Sequence, residues 1–350
     1  MTIRNTVSAL LLILILGVNA QADTVALNPD HPDRYVVVKG DTLWDISARF
    51  LRDPWKWPDV WEVNPQIKNP NLIYPGDVIS LIFRNGKPVL QVERGPKAPP
   101  VKSNVVKLEP KVRITTLEKP IPTLPTDAIE PFLLKAEVIS PEESKNSGYI
   151  VSMEDSRLIG GTGNKIYVRH LKQHSGGRYE VVRVGKTYRN PGSKDVLGHE
   201  ALHIADALVD SYGDPDTLTL TKASREALIG DRVLPAQDEM KINYNFLPRA
   251  PKKQIQGKII ALFDALSRVG QYQVVVLNKG LDDGLKPGHV LAVYHAGETI
   301  RDTVSGGDKV TLPPTRAGVL MVFRVFDKVS YGLIMNAKRD IHLYDMFRNP

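Results

Sequence analysis

Tyr35-Val36-Val37-Val38-Lys39-Gly40-Asp41-Thr42-Leu43-Trp44-Asp45-Ile46-Ser47-Ala48-Arg49-Phe50 opens with a β-branched run, turns at Gly-Asp, and continues with apolar residues at helical spacing. The reading is a strand Tyr35 to Val38, a turn Lys39 to Thr42 and a helix Leu43 to Phe50. A second helix is expected near Asp59 to Val63, and Tyr74-Pro75-Gly76-Asp77-Val78-Ile79 closes the unit with another strand. Val36 and Val38 share one strand face, and Leu43, Ile46 and Phe50 share one helix face. Thr42 followed by Asp45 is a capping-box-like start, and Pro58 suits a first helical turn. Together these predict a small βααβ module over residues 34–83.

The Val-Lys-x-Gly-Asp-Thr-Leu-Trp-x-Ile and Tyr-Pro-Gly-Asp-x-Ile blocks resemble the LysM family, small sugar-binding modules that hold proteins to peptidoglycan or chitin. The resemblance implies an N-acetylglucosamine-containing glycan lying in a shallow groove between two loops. Carried onto this chain, the groove is Gly40, Asp41, Thr42 and Leu43 on one side and Asn71, Leu72, Ile73, Tyr74 and Pro75 on the other. Leu43, Leu72 and Ile73 have core residues as their competing reading. The segment Leu51 to Trp61 is longer and richer in Trp than the family pattern, so that with Trp44 all four tryptophans fall in this module. They imply an enlarged core or an aromatic contact surface; Trp61 is assigned to the core, with Trp55 and Trp57 open between the two.

Arg4, the apolar run Ala9 to Val18 and Ala20-Gln21-Ala22 form a secretory signal peptide over residues 1–22, with cleavage expected after Ala22. The run is short for a membrane anchor. Cysteine is absent, which excludes an acylated lipoprotein, disulfides and cysteine chemistry. The expected location is the periplasm. A length of 350 residues suits two or three domains, and the formal charge of +7 suits acidic partners in the envelope more than nucleic acid.

Residues 84–130 alternate proline with lysine, which predicts an extended linker. Within it Val105 to Leu108 and Lys111 to Ile114 alternate apolar with polar and could pair or dock. Short β-type runs with turn residues between them then predict two β-rich domains, 131–247 and 248–350. The expected class is α+β, mostly strand outside the first module. Ala223 to Asp231 parallels Ala337 to Asp345, and Glu200 to Ile204 lines up with Gly318 to Val322, suggesting a duplicated unit.

His199-Glu200-Ala201-Leu202-His203 spells the zinc-peptidase signature, which needs a helix to set both imidazoles on one face. The repeat equates this segment with a strand, and Asp206 and Val209 occupy the places of any His-x-x-Gly-x-x-His extension. Glu226 is the only tempting third ligand. Gly160-Gly161-Thr162-Gly163 lacks the setting of a phosphate loop, and Leu285 to Val290 reads as a Pro-Gly turn. No cofactor is expected. The order of parts resembles the TsaP family of type IV pilus secretin-associated proteins, whose C-terminal part is similar to the flagellar FlgT family. That resemblance implies a non-enzymatic adaptor, multimeric around an outer-membrane secretin. A wall hydrolase or zinc peptidase, and a wall-binding protein of another export system, are the alternatives.

Overall fold

The computed structural model describes residues 25–61, 73–93, 120–134, 136–173, 176–236, 246–263, 267–304 and 306–350. They fall into two units, divided after Ile121. The expected signal peptide, Asn71, Leu72, the expected end of the second helix at Val63 and the strips Val105 to Leu108 and Lys111 to Ile114 lie outside the described residues.

The first unit pairs β1 (Arg34–Val36), β2 (Val78–Arg84) and β3 (Lys87–Glu93) antiparallel in that order. Helix α1 (Leu43–Phe50) starts at Thr42, whose hydroxyl oxygen accepts from the Asp45 amide at 3.1 Å. Leu43, Ile46 and Phe50 are buried by α1, while a 3₁₀ turn (Pro54–Lys56) and the one-turn α2 (Trp57–Val60) add Trp57 and Val60 to the same core. Ile73, Ile79, Leu90 and Val92 complete it.

Two details differ from the sequence reading. In the first strand the core residue is Val37, while Val36 and Val38 are exposed, because Val37 exchanges amide hydrogen bonds with Gly76 and Asp77 and turns inward there. The module also runs past 83: Asn85 and Gly86, both at positive φ, make a two-residue hairpin into β3, so the span assigned to linker begins with a strand. Pro88 is accommodated because β3 is an edge strand. At the far end of that span, Ile121 is buried in the module core and its amide donates to Ile73.

The second unit carries α3 (Thr126–Leu134), β4 (Ala136–Ile139) and α4 (Pro141–Asn146), the last opened by a Ser140–Glu143 capping box. A first ring follows: β5 (Gly148–Met153), β7 (Lys165–Arg169), β10 (Asp216–Ala223), β9 (Val196–Ser211), β8 (Arg178–Arg189) and β12 (Arg232–Pro235), closed by the β12–β5 pairing, with β4 added outside β9. A second closed barrel has the order β13 (Gln256–Leu262), β15 (Val274–Leu277), β20 (Ser330–Ala337), β19 (Thr315–Val325), β16 (Val290–His295), β22 (Met346–Arg348). Two short ladders repeat as well: β6 (Ile159–Gly160) with β11 (Ala227–Leu228), and β14 (Arg268–Val269) with β21 (Ile341–His342). Closure leaves no free edge in either ring, and alternate side chains fill the interior.

The rings share individual hydrogen bonds as well as strand order. The Ile150 amide donates to Asp231 and accepts at its carbonyl from Gly230; Ile259 does the same with Asp345 and Tyr344. The Leu228 amide donates to the Asp231 carboxylate at 2.8 Å, and the His342 amide to Asp345 at 2.7 Å. Ser224 and Arg225 donate to Ile204, whereas Lys338 and Arg339 donate to Ala317. Ile204 is therefore the counterpart of Ala317, which corrects the alignment of Glu200–Ile204 with Gly318–Val322. Long apolar strands carry no mark of register on their own; the turn that follows sets it.

Helix α3 packs on the second ring through an aromatic side chain. Phe132 of α3 packs edge-on to Phe263 at 4.7 Å, and its carbonyl accepts from the Arg324 guanidinium at 2.7 Å. His289, buried beside the Pro287-Gly288 turn, accepts from the Lys286 amide at Nδ1, which requires the neutral ring. Burial, reinforced by Arg249 and Lys286, lowers its pKa. A depressed histidine gives stability that is present above the unfolded-state pKa and lost as pH falls through the folded one. Urea midpoints of the second unit should therefore drop between about pH 7 and pH 5, and the slope should flatten in His289→Gln.

Candidate glycan-binding site

Two turns of the first unit meet at one end of the β1–β2 pair. Val37 joins them: its carbonyl accepts from Gly76 and its amide donates to Asp77, each at 2.8 Å. An aspartate holds each turn. Asp41 accepts from the Val38 amide at 2.9 Å and the Tyr35 hydroxyl at 3.0 Å, and Asp77 accepts from the Tyr74 amide at 3.0 Å. The Arg49 guanidinium lies 4.5 Å over the Tyr35 ring. Burial and the adjacent Asp41 raise the Tyr35 pKa, so the phenol remains a donor. Gly40 and Gly76 take φ of +98° and +93°, conformations that side chains strain to adopt, and both are exposed.

The residues expected to line a groove divide by what they present. Gly40 is exposed, and Asp41, Tyr74 and Pro75 are half-buried, so these four offer surface on the two turns. Thr42 is buried and commits its hydroxyl to the helix cap. Leu43 and Ile73 are 1% and 0% exposed, so their side chains belong to the core and only their backbone is available to a ligand. The sequence reading did not single out Tyr35, Gly76 and Asp77, although Gly76-Asp77 stands inside the block that carried the resemblance.

The tryptophans separate similarly. Trp44 and Trp57 are buried; Trp61 is half-buried and meets Trp57 edge-on at 5.7 Å. Trp57 is thus the core residue, and Trp61 packs on its flank. Trp55 is half-buried with Lys56 Nζ 5.4 Å from its ring centroid, and its indole N–H has no acceptor among the described residues.

The His-Glu-x-x-His segment lies within β9. Four residues of strand set the two imidazoles about 13 Å apart along the chain. They also have separate partners: His199 meets Thr187 at 3.1 Å, while His203 meets Asp206 at 2.8 Å and Ser224 at 3.3 Å. Glu200 is buried and accepts from the Lys186 amide.

Strand, helical turns and strand, with two aspartate-pinned turns at one end, make up one small module. Residues 35–81 match the LysM domain family. LysM domains bind peptidoglycan and related N-acetylglucosamine glycans, which associates this chain with the cell wall. The chain is also similar to the uncharacterized protein YqbP of Bacillus subtilis (strain 168), 37% identical over an alignment of 60 residues, which covers 14% of this chain and 27% of that protein.

Proposed function

We propose that the chain is a non-enzymatic periplasmic adaptor: the LysM domain holds peptidoglycan and the ring-bearing unit holds an outer-membrane secretin of the type IV pilus machinery. The LysM domain carries the first half of this reading. The second half draws on the order of parts and on an exposed arm of the second ring, β17 (Thr299–Arg301) and β18 (Lys309–Thr311). All six strand residues are exposed, and Ile300, Val304, Val310 and Leu312 add apolar surface, Val304 at 94% exposure. Apolar side chains on a projecting ribbon suit a protein partner.

One LysM groove binds weakly, but several copies around a pore act together, and effective concentration raises avidity by ~10²–10⁴ without new contacts. Pilus load would then pass into the covalent wall. The test is twofold. Purified protein should sediment with isolated sacculi, and the secretin should co-purify from cross-linked envelopes. Ile300→Asp with Val304→Asp should cut secretin recovery at least fivefold while leaving sacculus binding and the unfolding midpoint unchanged. Recovery equal to the parent's would remove the arm from the reading; absence of the secretin from the parent's own cross-links would redirect it to another envelope machine.

A further inference from the structure

We propose that His295, His342 and Asp345 form a binding site for a divalent transition ion of the zinc class, which ties the turn before β22 to the end of β16. The three residues come from different elements: His295 ends β16, His342 ends β21, and Asp345 stands in the turn before β22. One donor atom from each lies within 4.8 Å of the others, and among the described residues this is the one such cluster. The Asp345 carboxylate is 8% exposed and lies 2.9 Å from His295 Nδ1 and 3.9 Å from His342 Nδ1. The imidazole centroids are 5.1 Å apart. Ligands of a tetrahedral zinc stand about 3.4 Å from one another, so a modest side-chain rotation completes the set. His342, with 45% of its side chain exposed, has the freedom to make it.

The duplication supplies an internal comparison. In the first ring Val233 faces Val181, and in the second Phe347 faces Val293, so two residues further along the strand Arg183 corresponds to His295. Asp231 corresponds to Asp345, and Leu228 to His342, because both aspartates cap the same turn. Arg183 meets Asp231 with two hydrogen bonds of 2.8 and 2.9 Å, a permanent cation on a buried carboxylate. The second ring has exchanged that arginine for an imidazole and the neighbouring leucine for another. Two imidazole nitrogens and a carboxylate suit zinc-class ions, whereas calcium and magnesium take oxygen ligands. The ion would return the positive charge that the arginine provides in the first ring, leaving a fourth coordination position toward solvent.

The test is calorimetric titration of the EDTA-treated full chain with Zn²⁺, beside His342→Ala, His295→Arg and His203→Ala. The parent and His203→Ala should each bind one ion, and zinc should raise their unfolding midpoints. His342→Ala should bind at least about tenfold more weakly, since even outer-sphere changes cost about 10–100-fold. His295→Arg, which installs the arginine of the first ring, should keep its fold and lose the zinc response. Equal affinity in parent and His342→Ala, loss confined to His203→Ala, or equally tight Ca²⁺ binding by the parent would each overturn the site.

Discussion

Trp57→Ala is expected to unfold the LysM domain and abolish sedimentation with sacculi. Trp57 is 2% exposed, in a core shared with Phe50, Val60 and Leu90, and Trp61 rests edge-on against it. Truncating a buried tryptophan costs about 3–5 kcal/mol, combining lost transfer energy with the cavity left behind. A core in a module of this size supplies about 3–5 kcal/mol in total, so the loss consumes the stability present. The protein offers a clean observable, because Trp44, Trp55, Trp57 and Trp61 are its only tryptophans. Selectively excited tryptophan fluorescence therefore reports on this module alone, and far-UV circular dichroism mainly on the rings. The variant should show a fluorescence spectrum of solvated indole before denaturant is added, with the β-type transition of the rings retained. A fluorescence midpoint matching the parent's would show that Trp57 does not hold the core.

The same module shows what the sequence disclosed. Helix α1 was legible to the residue, since Thr42 supplies the cap and Leu43, Ile46 and Phe50 recur at one helical face. The inward valine was not: three consecutive valines satisfy either alternation, and the hydrogen bonds between Val37, just past β1, and Gly76 and Asp77 decide between them. The hairpin into β3 carried a local signal, Asn85-Gly86, obscured by the prolines around it. Of the residues that the family resemblance placed at a groove, Gly40 and Asp41 stand at a turn the sequence marked, whereas the burial of Leu43 and Ile73 depends on strands brought in from elsewhere in the chain.

The rings teach a related lesson. Ala223–Asp231 and Ala337–Asp345 could be matched by eye because the turn demands its aspartate in both copies. The strands between could not, because β9 and β19 are governed by apolar filling and contain bulges that shift register. The partners of those aspartates were hidden for a simpler reason. Arg183 is 48 residues from Asp231, and His295 is 50 residues from Asp345, so only closure of each ring brings them together.

Asp231→Ala should accordingly be among the most damaging substitutions in the second unit. The Asp231 side chain is 4% exposed and accepts from the Leu228 amide and from both Nε and Nη2 of Arg183. Removing it takes the acceptor from the Leu228 amide and the carboxylate from Arg183, whose guanidinium keeps its hydrogen bond to the Glu226 carbonyl. A fully buried pair broken this way costs about 3–5 kcal/mol; Arg183 is 34% exposed, so water recovers part of that and the expected loss is about 2–4 kcal/mol. The hydrogen bond to Asp231 raises the Arg183 pKa further, and a raised cation loses its contribution only as pH climbs through that value. The guanidinium thus stays charged through neutral pH, and the defect should persist there. Asp231→Asn, keeping an acceptor for Leu228 but losing the charge, should fall between. Chemical denaturation gives the values, and a change within about 0.5 kcal/mol would place Asp231 among ordinary surface positions. Asp345→Ala then separates the two rings: its cost should depend on whether zinc is present, and that of Asp231→Ala should not, since the first ring carries its cation covalently in Arg183.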